Sequence, residues 1–187
     1  MSDLAFYVLD IVENLVRADA SVISITFEEN TARDILSITL EDNSSGPRIP
    51  DKAARDPFYT NNNGKRIGLG LCLFRAEAEQ AGGNLKIGKS ELGGSLIKAT
   101  MRLSHVDKSP LGDIAAAISS VVCINPSLDI WFRFRVGDKE YVMQVEKVAR
   151  ELRSGGFSGL TLARKVREKI NTALASLELA PLDPGVN

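Results

Sequence analysis

The stretch Asp34–Pro47, DILSITLEDNSSGP, decides both the fold and the chemistry of this chain. Leu36, Ile38 and Leu40 alternate with polar neighbours, the period of a strand with one buried face. Carried one step further, that period points the carboxylate of Asp42 toward the interior, where an unpaired charge is expensive. The charge becomes reasonable if a ligand supplies a donor such as the exocyclic amine of adenine, because hydrogen bonds to charged acceptors are among the stronger ones. The competing reading is a turn aspartate that caps NSSG. Gly46 would let the backbone come close to a base or sugar.

Toward the start of the chain, SVISITFEE sets Ile23, Ile25 and Phe27 on one face of a neighbouring strand. Ahead of it, Leu4, Val8, Ile11, Leu15 and Ala18 recur at alternating spacings of four and three, with Leu9, Val12 and Val16 as a second apolar stripe. A helix of this pattern is buried around more than half its circumference. Its narrow polar strip is Asp10, Glu13, Asn14 and Arg17. Asp10 and Asn14, four apart, share a side, where an amide oxygen could ligate magnesium or a polar strip could meet solvent or a loop.

Downstream, Asn43 to Lys65 is a long irregular stretch of the kind that is functional or mobile in compact domains. GLGLCLFRAEAEQAGG then reads as a helix closed by a glycine pair. The GLGL run stands where loop meets helix, so its backbone N–H groups and the helix dipole suit phosphates, although a glycine pair there is also simply a tight turn. NLKIGKS and SLIKATMRL, joined by ELGG, form a hairpin. Ser95 lies on the inward face with Ile97, Ala99 and Met101, placed to share a water with Asp42 and an adenine ring, or merely to end a Gly-Gly turn. The order is helix, two strands, long loop, helix, two strands.

In sequence, the helix with Asp10, Glu13 and Asn14, then EDNSSGP, DPFYTNNNGKRIGLGL and GGSL resemble the four boxes of the GHKL superfamily of gyrase, large heat-shock chaperones, histidine kinases and mismatch-repair ATPases. The resemblance runs from Asp3 to about Leu103. DPFYT followed by GLGL is its most specific part and looks closest to the histidine-kinase and anti-sigma-kinase branch. It implies an α/β fold, a two-layer sandwich with a mixed sheet (the Bergerat fold), that binds ATP with magnesium. By that likeness Asn14 would hold the magnesium, Asp42 would bind adenine, Gly46 would flank the base, and Ser95 would stand at the usual threonine position. Residues between Pro57 and Ile67, Thr60 among them, would be a flexible lid over the phosphates, with Lys65 or Arg66 neutralising charge. Gly68, Leu69, Gly70 and Leu71 would receive the phosphates, and Asp10, with Glu13 as the alternative, would be the catalytic carboxylate.

The chain departs from the family's pattern at three places. Asp10 stands where the ATP-hydrolysing branches have a glutamate, and a misplacement of about 1 Å can cost on the order of a hundredfold in rate. Ser44 replaces a common glycine, which stiffens the base-binding turn. An asparagine run follows PFYT in place of a lysine, leaving the phosphate charge to Lys65 and Arg66. A sensor kinase also needs a helical hairpin with a phosphorylatable histidine ahead of this domain, and here the domain begins at the first residue. The sole histidine, His105, follows the last strand of the domain, where a hydrogen-bonded structural role outweighs a phospho-acceptor role.

After Leu103, SHVDKSPLGD reads as a junction between an ATP-binding domain over 1–104 and a small α+β unit over 105–187. That unit is expected to contain a helix opened by Pro110, a hairpin made of LDIWFRFRV and KEYVMQVEKV, and a helix carrying Leu162, Val166, Ile170 and Leu174. WFRFRV is either an exposed edge for a homodimer or a small core, with Trp131 and Phe132 read as core.

The whole chain of 187 residues, 44% hydrophobic, can bury a core without staples. Its 23 basic and 24 acidic side chains nearly cancel, so total charge advertises neither nucleic acid nor an anionic membrane. Cys72 and Cys123, far apart and with no CxxC or histidine cluster, argue for a reducing compartment and against zinc, and read as core residues. MSDLAFYVLD has no basic n-region, and no run of about eighteen apolar residues occurs, so a cytoplasmic protein is expected. The functions this reading supports are a protein kinase or weak ATPase that acts on a separate protein partner, or a nucleotide-dependent switch with little or no catalysis.

Overall fold

The computed structural model describes residues 3–45, 68–152 and 158–177. Helix α1, Leu4–Arg17, starts at Asp3, whose carboxylate accepts the Phe6 N–H at 2.9 Å, and buries Leu4, Val8, Ile11 and Leu15. β1 (Val22–Asn30) and β2 (Ile35–Asp42) pair antiparallel with Phe27 opposite Ile38 and Ile25 opposite Leu40. A short 3-10 turn, Thr31–Arg33, and Asp34 at φ 55° join them. Helix α2 covers Gly68–Gln80, and β3 (Asn84–Lys89) and β4 (Ser95–Arg102) form the expected hairpin, with β4 also paired to β2.

Helix α3 is Ile114–Ile124, β5 is Asp129–Val136, β6 is Lys139–Gln144, α4 is Val145–Leu152 and α5 is Gly159–Ser176. The six strands among the described residues form one mixed sheet in the order β3-β4-β2-β1-β5-β6, with β5 parallel to β1 and every other pair antiparallel. One face, carrying Ile25, Phe27, Ile38, Leu40, Ile97, Ala99, Phe132 and Phe134, is sealed beneath the helices. The opposite face, with Lys98 and Arg133, is open. This is the two-layer α/β sandwich with a mixed sheet that the resemblance implies.

The hairpin of the C-terminal unit is not a separate sheet. Phe134 stacks on Phe27 across the β1–β5 pair with ring centroids 5.3 Å apart, and Phe132 packs beside them. A lone two-stranded hairpin is marginal in water, so this shared core is what keeps β5 and β6 ordered. The sheet therefore runs across the 104/105 boundary that composition suggests.

Four local expectations need correction. KEYVMQVEKV is not one strand: β6 stops at Gln144, and Val145, Val148 and Ala149 take up helical spacing in α4, whose Glu146 N–H donates to Asp129 at 3.0 Å. Two overlapping periods shared Met143 and Val145, and the longer alternation disguised the helix. Pro110 does not open α3; Asp113 caps it by accepting from Ala116 N–H at 2.7 Å. The carbonyls of Pro110 and Leu111 instead accept the Leu4 and Ala5 N–H groups at 3.0 Å each, satisfying amides that the first turn of α1 leaves open. Cys72 and Cys123 are only partly buried, and Trp131 likewise, its indole N–H donating to Asp129, whereas Phe132 is core.

Asp34 clasps the start of β2 to the end of β4: it accepts from Ser104 N–H at 2.8 Å and Ser104 Oγ at 2.7 Å, and from Arg102 Nε at 3.3 Å. The Ser104 hydrogen bonds, and behind them Arg102, hold its carboxyl below the usual carboxylate value. A folded-state value below the unfolded one contributes stability at neutral pH that is lost as pH falls through the folded value. Asp34→Asn keeps a residue suited to positive φ while removing the charge. Its melting temperature should lie below that of the native chain at pH 7, and the gap should close in acid well below about pH 4. A gap that is constant across that range would show that the clasp is not electrostatic.

Candidate functional site

Asp42 ends β2 on the sealed face, opposite Ile23, and is 0% exposed. Its Oδ1 accepts the Ser44 N–H at 2.7 Å and its Oδ2 accepts the Ser95 N–H at 3.0 Å. Among the described residues no lysine or arginine pairs with it. A carboxylate has about four acceptor positions, so among the described residues the two backbone donors leave acceptor capacity on each oxygen unmatched. The inward strand position and the local turn are both real: Asp42 faces the core and also holds the amide two residues on.

Residues that the sequence reading did not single out hold this end of the sheet. Asn43 accepts from the Ser21 and Val22 N–H groups at 3.0 and 2.9 Å and donates to Ser21 Oγ at 2.9 Å, tying the exit of β2 to the entry of β1. Ser90, buried, donates to Glu41 Oε1 at 3.2 Å and accepts from Leu92 N–H at 2.9 Å, shaping the β3–β4 turn. Gly94 donates its N–H to the Asp42 carbonyl at 3.0 Å, and a Cβ there would fall 2.1 Å from Asp42 Oδ1. Only a residue without a side chain lets that turn lie on the carboxylate. The sequence reads the Gly-Gly pair as a hairpin turn and, by resemblance, as part of the last family box; its approach to a strand some fifty residues away in the chain carries no local signal. Ser95 is 3% exposed on the inward face of β4, its backbone bound to Asp42.

The second cluster lies where α1 meets α2. Asn14 Nδ2 donates to Asp10 Oδ2 at 3.3 Å, which orients the amide with its oxygen turned away from that carboxylate. Burial pushes the Asp10 carboxyl up; Arg17 opposes that shift, Glu13 adds to it, and the Asn14 hydrogen bond opposes it. Glu13 is exposed and forms an ion pair with Arg17 at 3.3 Å. Gly70, in the first turn of α2, lies against Asp10: a Cβ there would fall 1.6 Å from Oδ2. The tight packing of α1 on α2 is completed by Tyr7 stacked on Phe74 at 5.7 Å.

Gly68 opens α2, Leu69 projects into solvent at 60% exposure and Leu71 is in the core at 1%. These two side chains face away from each other, so any shared ligand contact of the GLGL run must come from its backbone N–H groups. Gly46, Thr60, Lys65 and Arg66, with DPFYT and the lid expected between Pro57 and Ile67, lie outside the described residues. Among the described residues no three His, Cys, Asp or Glu side chains converge as a metal cage. His105 Nδ1 accepts the Asp107 N–H at 3.2 Å in a local turn. No helix among the described residues is long and apolar enough to cross a membrane.

The family model for histidine kinase-, DNA gyrase B- and HSP90-like ATPases matches residues 2–105. No curated protein matches the chain. Among solved structures, two nucleotide-free forms of the catalytic domain of the histidine kinase ThkA are 23% and 22% identical, each with a TM-score of 0.39 over 51% of this chain. The N-terminal domain of a DNA repair protein is 15% identical, with a TM-score of 0.45 over 76% of this chain. The matches span 64% and 63% of the two kinase chains and 52% of the repair-protein chain, so the present chain covers less than two thirds of each.

The two close glycine approaches should respond differently to a methyl group. Gly94→Ala drives a Cβ into the Asp42 carboxylate and to 2.8 Å from its backbone carbonyl, which cannot swing aside. Overpacking of this kind costs about 1–3 kcal/mol, read as a lower midpoint in chemical unfolding. Gly70→Ala meets the far end of a half-exposed side chain and gains up to about 1 kcal/mol of helix propensity, so its midpoint should stay near the native one while Asp10 is displaced. Equal losses from the two variants would contradict this geometry.

Proposed function

Because the chain belongs to the histidine kinase-, DNA gyrase B- and HSP90-like ATPase family, we propose that it binds ATP with magnesium and acts on a separate protein partner, transferring the γ-phosphoryl group or holding the partner in a nucleotide-dependent way. The observation that carries this reading is Asp42: a fully buried carboxylate with one backbone donor on each oxygen and no cation among the described residues. Burying such a group unpaired costs several kcal/mol, and an exocyclic amine supplies the missing donor.

In this reading Asp42 and the Ser95 region hold adenine, Asn14 offers its amide oxygen to magnesium, and the backbone N–H groups from Gly68 to Leu71 receive phosphates at the start of α2. Lys65 and Arg66 would add positive charge, with Gly46 beside the base and Thr60 in the lid. Bound ATP supplies a transferable phosphoryl group, and catalysis of such transfer is mostly positioning and charge neutralisation. Asp10 accepts from Asn14 and lies against Gly70, where it can orient an attacking hydroxyl or take its proton. Glu13 is a poorer base, being committed to Arg17 on the solvent side.

A switch with little turnover is the second reading, favoured by the short reach of Asp10 against the glutamate of hydrolysing relatives. Label transfer from ATP to a protein in cell extract supports the kinase, and nucleotide-dependent capture without label supports the switch. The family and the residues above favour no nucleic acid or membrane partner, and a cytoplasmic place and a homodimer belong to the same proposal, through β6 and not through WFRFRV, because β5 is paired on both sides.

Calorimetric titration with ATP tests the site itself. Asp42→Asn should weaken binding at least tenfold, and Asn14→Ala should abolish the difference that magnesium makes. Native-like binding by both variants would mean that the site is elsewhere. Where turnover is measurable, Asp10→Asn should remove it while ATP still binds, the outcome expected of a group that takes the proton of the attacking hydroxyl.

A further inference from the structure

β6 ends the sheet, and among the described residues no strand lies along its outer side. It also lies beyond the matched ATPase region. The two-residue turn of Gly137 and Asp138 makes Val136 and Lys139 a hydrogen-bonded pair, so by antiparallel alternation Lys139, Tyr141 and Met143 turn their backbone groups toward β5. Glu140, Val142 and Gln144 therefore point theirs outward. The side chains of these three share the open face of the sheet, opposite Arg135, Arg133 and Trp131 of β5.

An unpaired edge is a template for another strand, and proteins blunt it with charge, lysine above all. The far edge of the sheet is blunted in that way. β3 carries Lys86 and Lys89, both exposed, on either side of Gly88, and Lys86 stands opposite Lys98 of β4. β6 differs in its middle. Its charges, Lys139 and Glu140, sit next to the turn, and its centre is Val142, a β-branched residue 53% exposed.

Two copies of β6 match one another when they run antiparallel about a twofold axis through Val142. In that register the two valines meet, Glu140 lies opposite Gln144 of the second copy, and the outward N–H and C=O groups of all three residues find partners. On the sealed face Tyr141, packed beside Phe132, comes opposite Met143 of the second copy. Neighbouring registers are poorer. An axis at Tyr141 sets Glu140 on Val142, an axis at Glu140 sets two carboxylates face to face, and an axis at Met143 leaves Glu140 opposite α4 with no strand to pair.

We infer that β6 is a dimerisation edge, at which two copies of this chain join antiparallel about Val142 into one continuous sheet. In naming a second copy this rests on the homodimer reading above. The self-matching register is what singles out a second copy over a strand from another protein.

Sedimentation of the full chain without nucleotide, over a range of concentrations, tests it. The native chain should show a monomer–dimer equilibrium. Val142→Glu places two carboxylates across the axis while each can meet Arg133 of its own chain, so it should weaken dimerisation at least tenfold and leave the circular dichroism spectrum unchanged. Gln144→Lys, which faces Glu140 of the second copy, should tighten the dimer a few-fold and Gln144→Glu should loosen it, both effects fading with salt. A chain that stays monomeric at every concentration, or a change in the same direction from both Gln144 variants, would overturn the inference. A dimer indifferent to Val142→Glu would overturn it too, keeping the homodimer but removing it from β6. Calorimetry separates this from the nucleotide reading, since Val142→Glu should bind ATP as the native chain does. A chain that dimerises but never binds ATP loses only the nucleotide reading, and one that binds ATP but never dimerises loses only the β6 edge.

Discussion

A carboxylate sealed inside a sheet has to be solvated by the protein itself, and the arrangement around Asp42 follows from that requirement. Two backbone N–H groups, from Ser44 and Ser95, supply part of the solvation. They reach it only because the β3–β4 turn folds over the end of β2 with Gly94 at the contact, and because Asn43 fastens the exit of β2 to the entry of β1. Among the described residues the donors are fixed backbone groups and not a mobile cation, which leaves acceptor capacity on the carboxylate unmatched. That leaves a buried charge still able to take a donor from a ligand.

The second cluster is built on different physics. Asp10 is only partly buried, and its environment raises its proton affinity through desolvation, in contrast to Asp34, whose hydrogen bonds lower it at an exposed position. Two aspartates in one domain are thereby pushed in opposite directions by burial and by hydrogen bonding. The closeness of Gly70 to Asp10 and the hydrogen bond from Asn14 bring the carboxylate, the amide of Asn14 and the first turn of α2 together.

The C-terminal part completes the ATPase region mechanically. Its hairpin extends the sheet from β1 through the Phe27–Phe134 stack, and the segment before α3 accepts the first amides of α1. The helix carrying Asp10 and Asn14 is therefore anchored at its beginning by residues outside the matched family region.

Local pattern was enough for much of this. The alternation in ILSITLED placed Asp42 on the inward face, the double stripe from Leu4 to Val16 made α1 a buried helix, and the spacing of Asp10 and Asn14 put them together, because strand and helix periods depend only on neighbouring residues. The ordered boxes ending in GLGL and GGSL identified the family for the same reason. Tertiary structure alone decided that β5 lies parallel to β1, that Val145 begins a helix, that Pro110 serves α1 and not α3, and that Gly70 and Gly94 press on two aspartates. Each of these depends on groups distant in the chain meeting in space, where pairing partners, caps and close approaches are selected by packing and leave no trace in the local sequence.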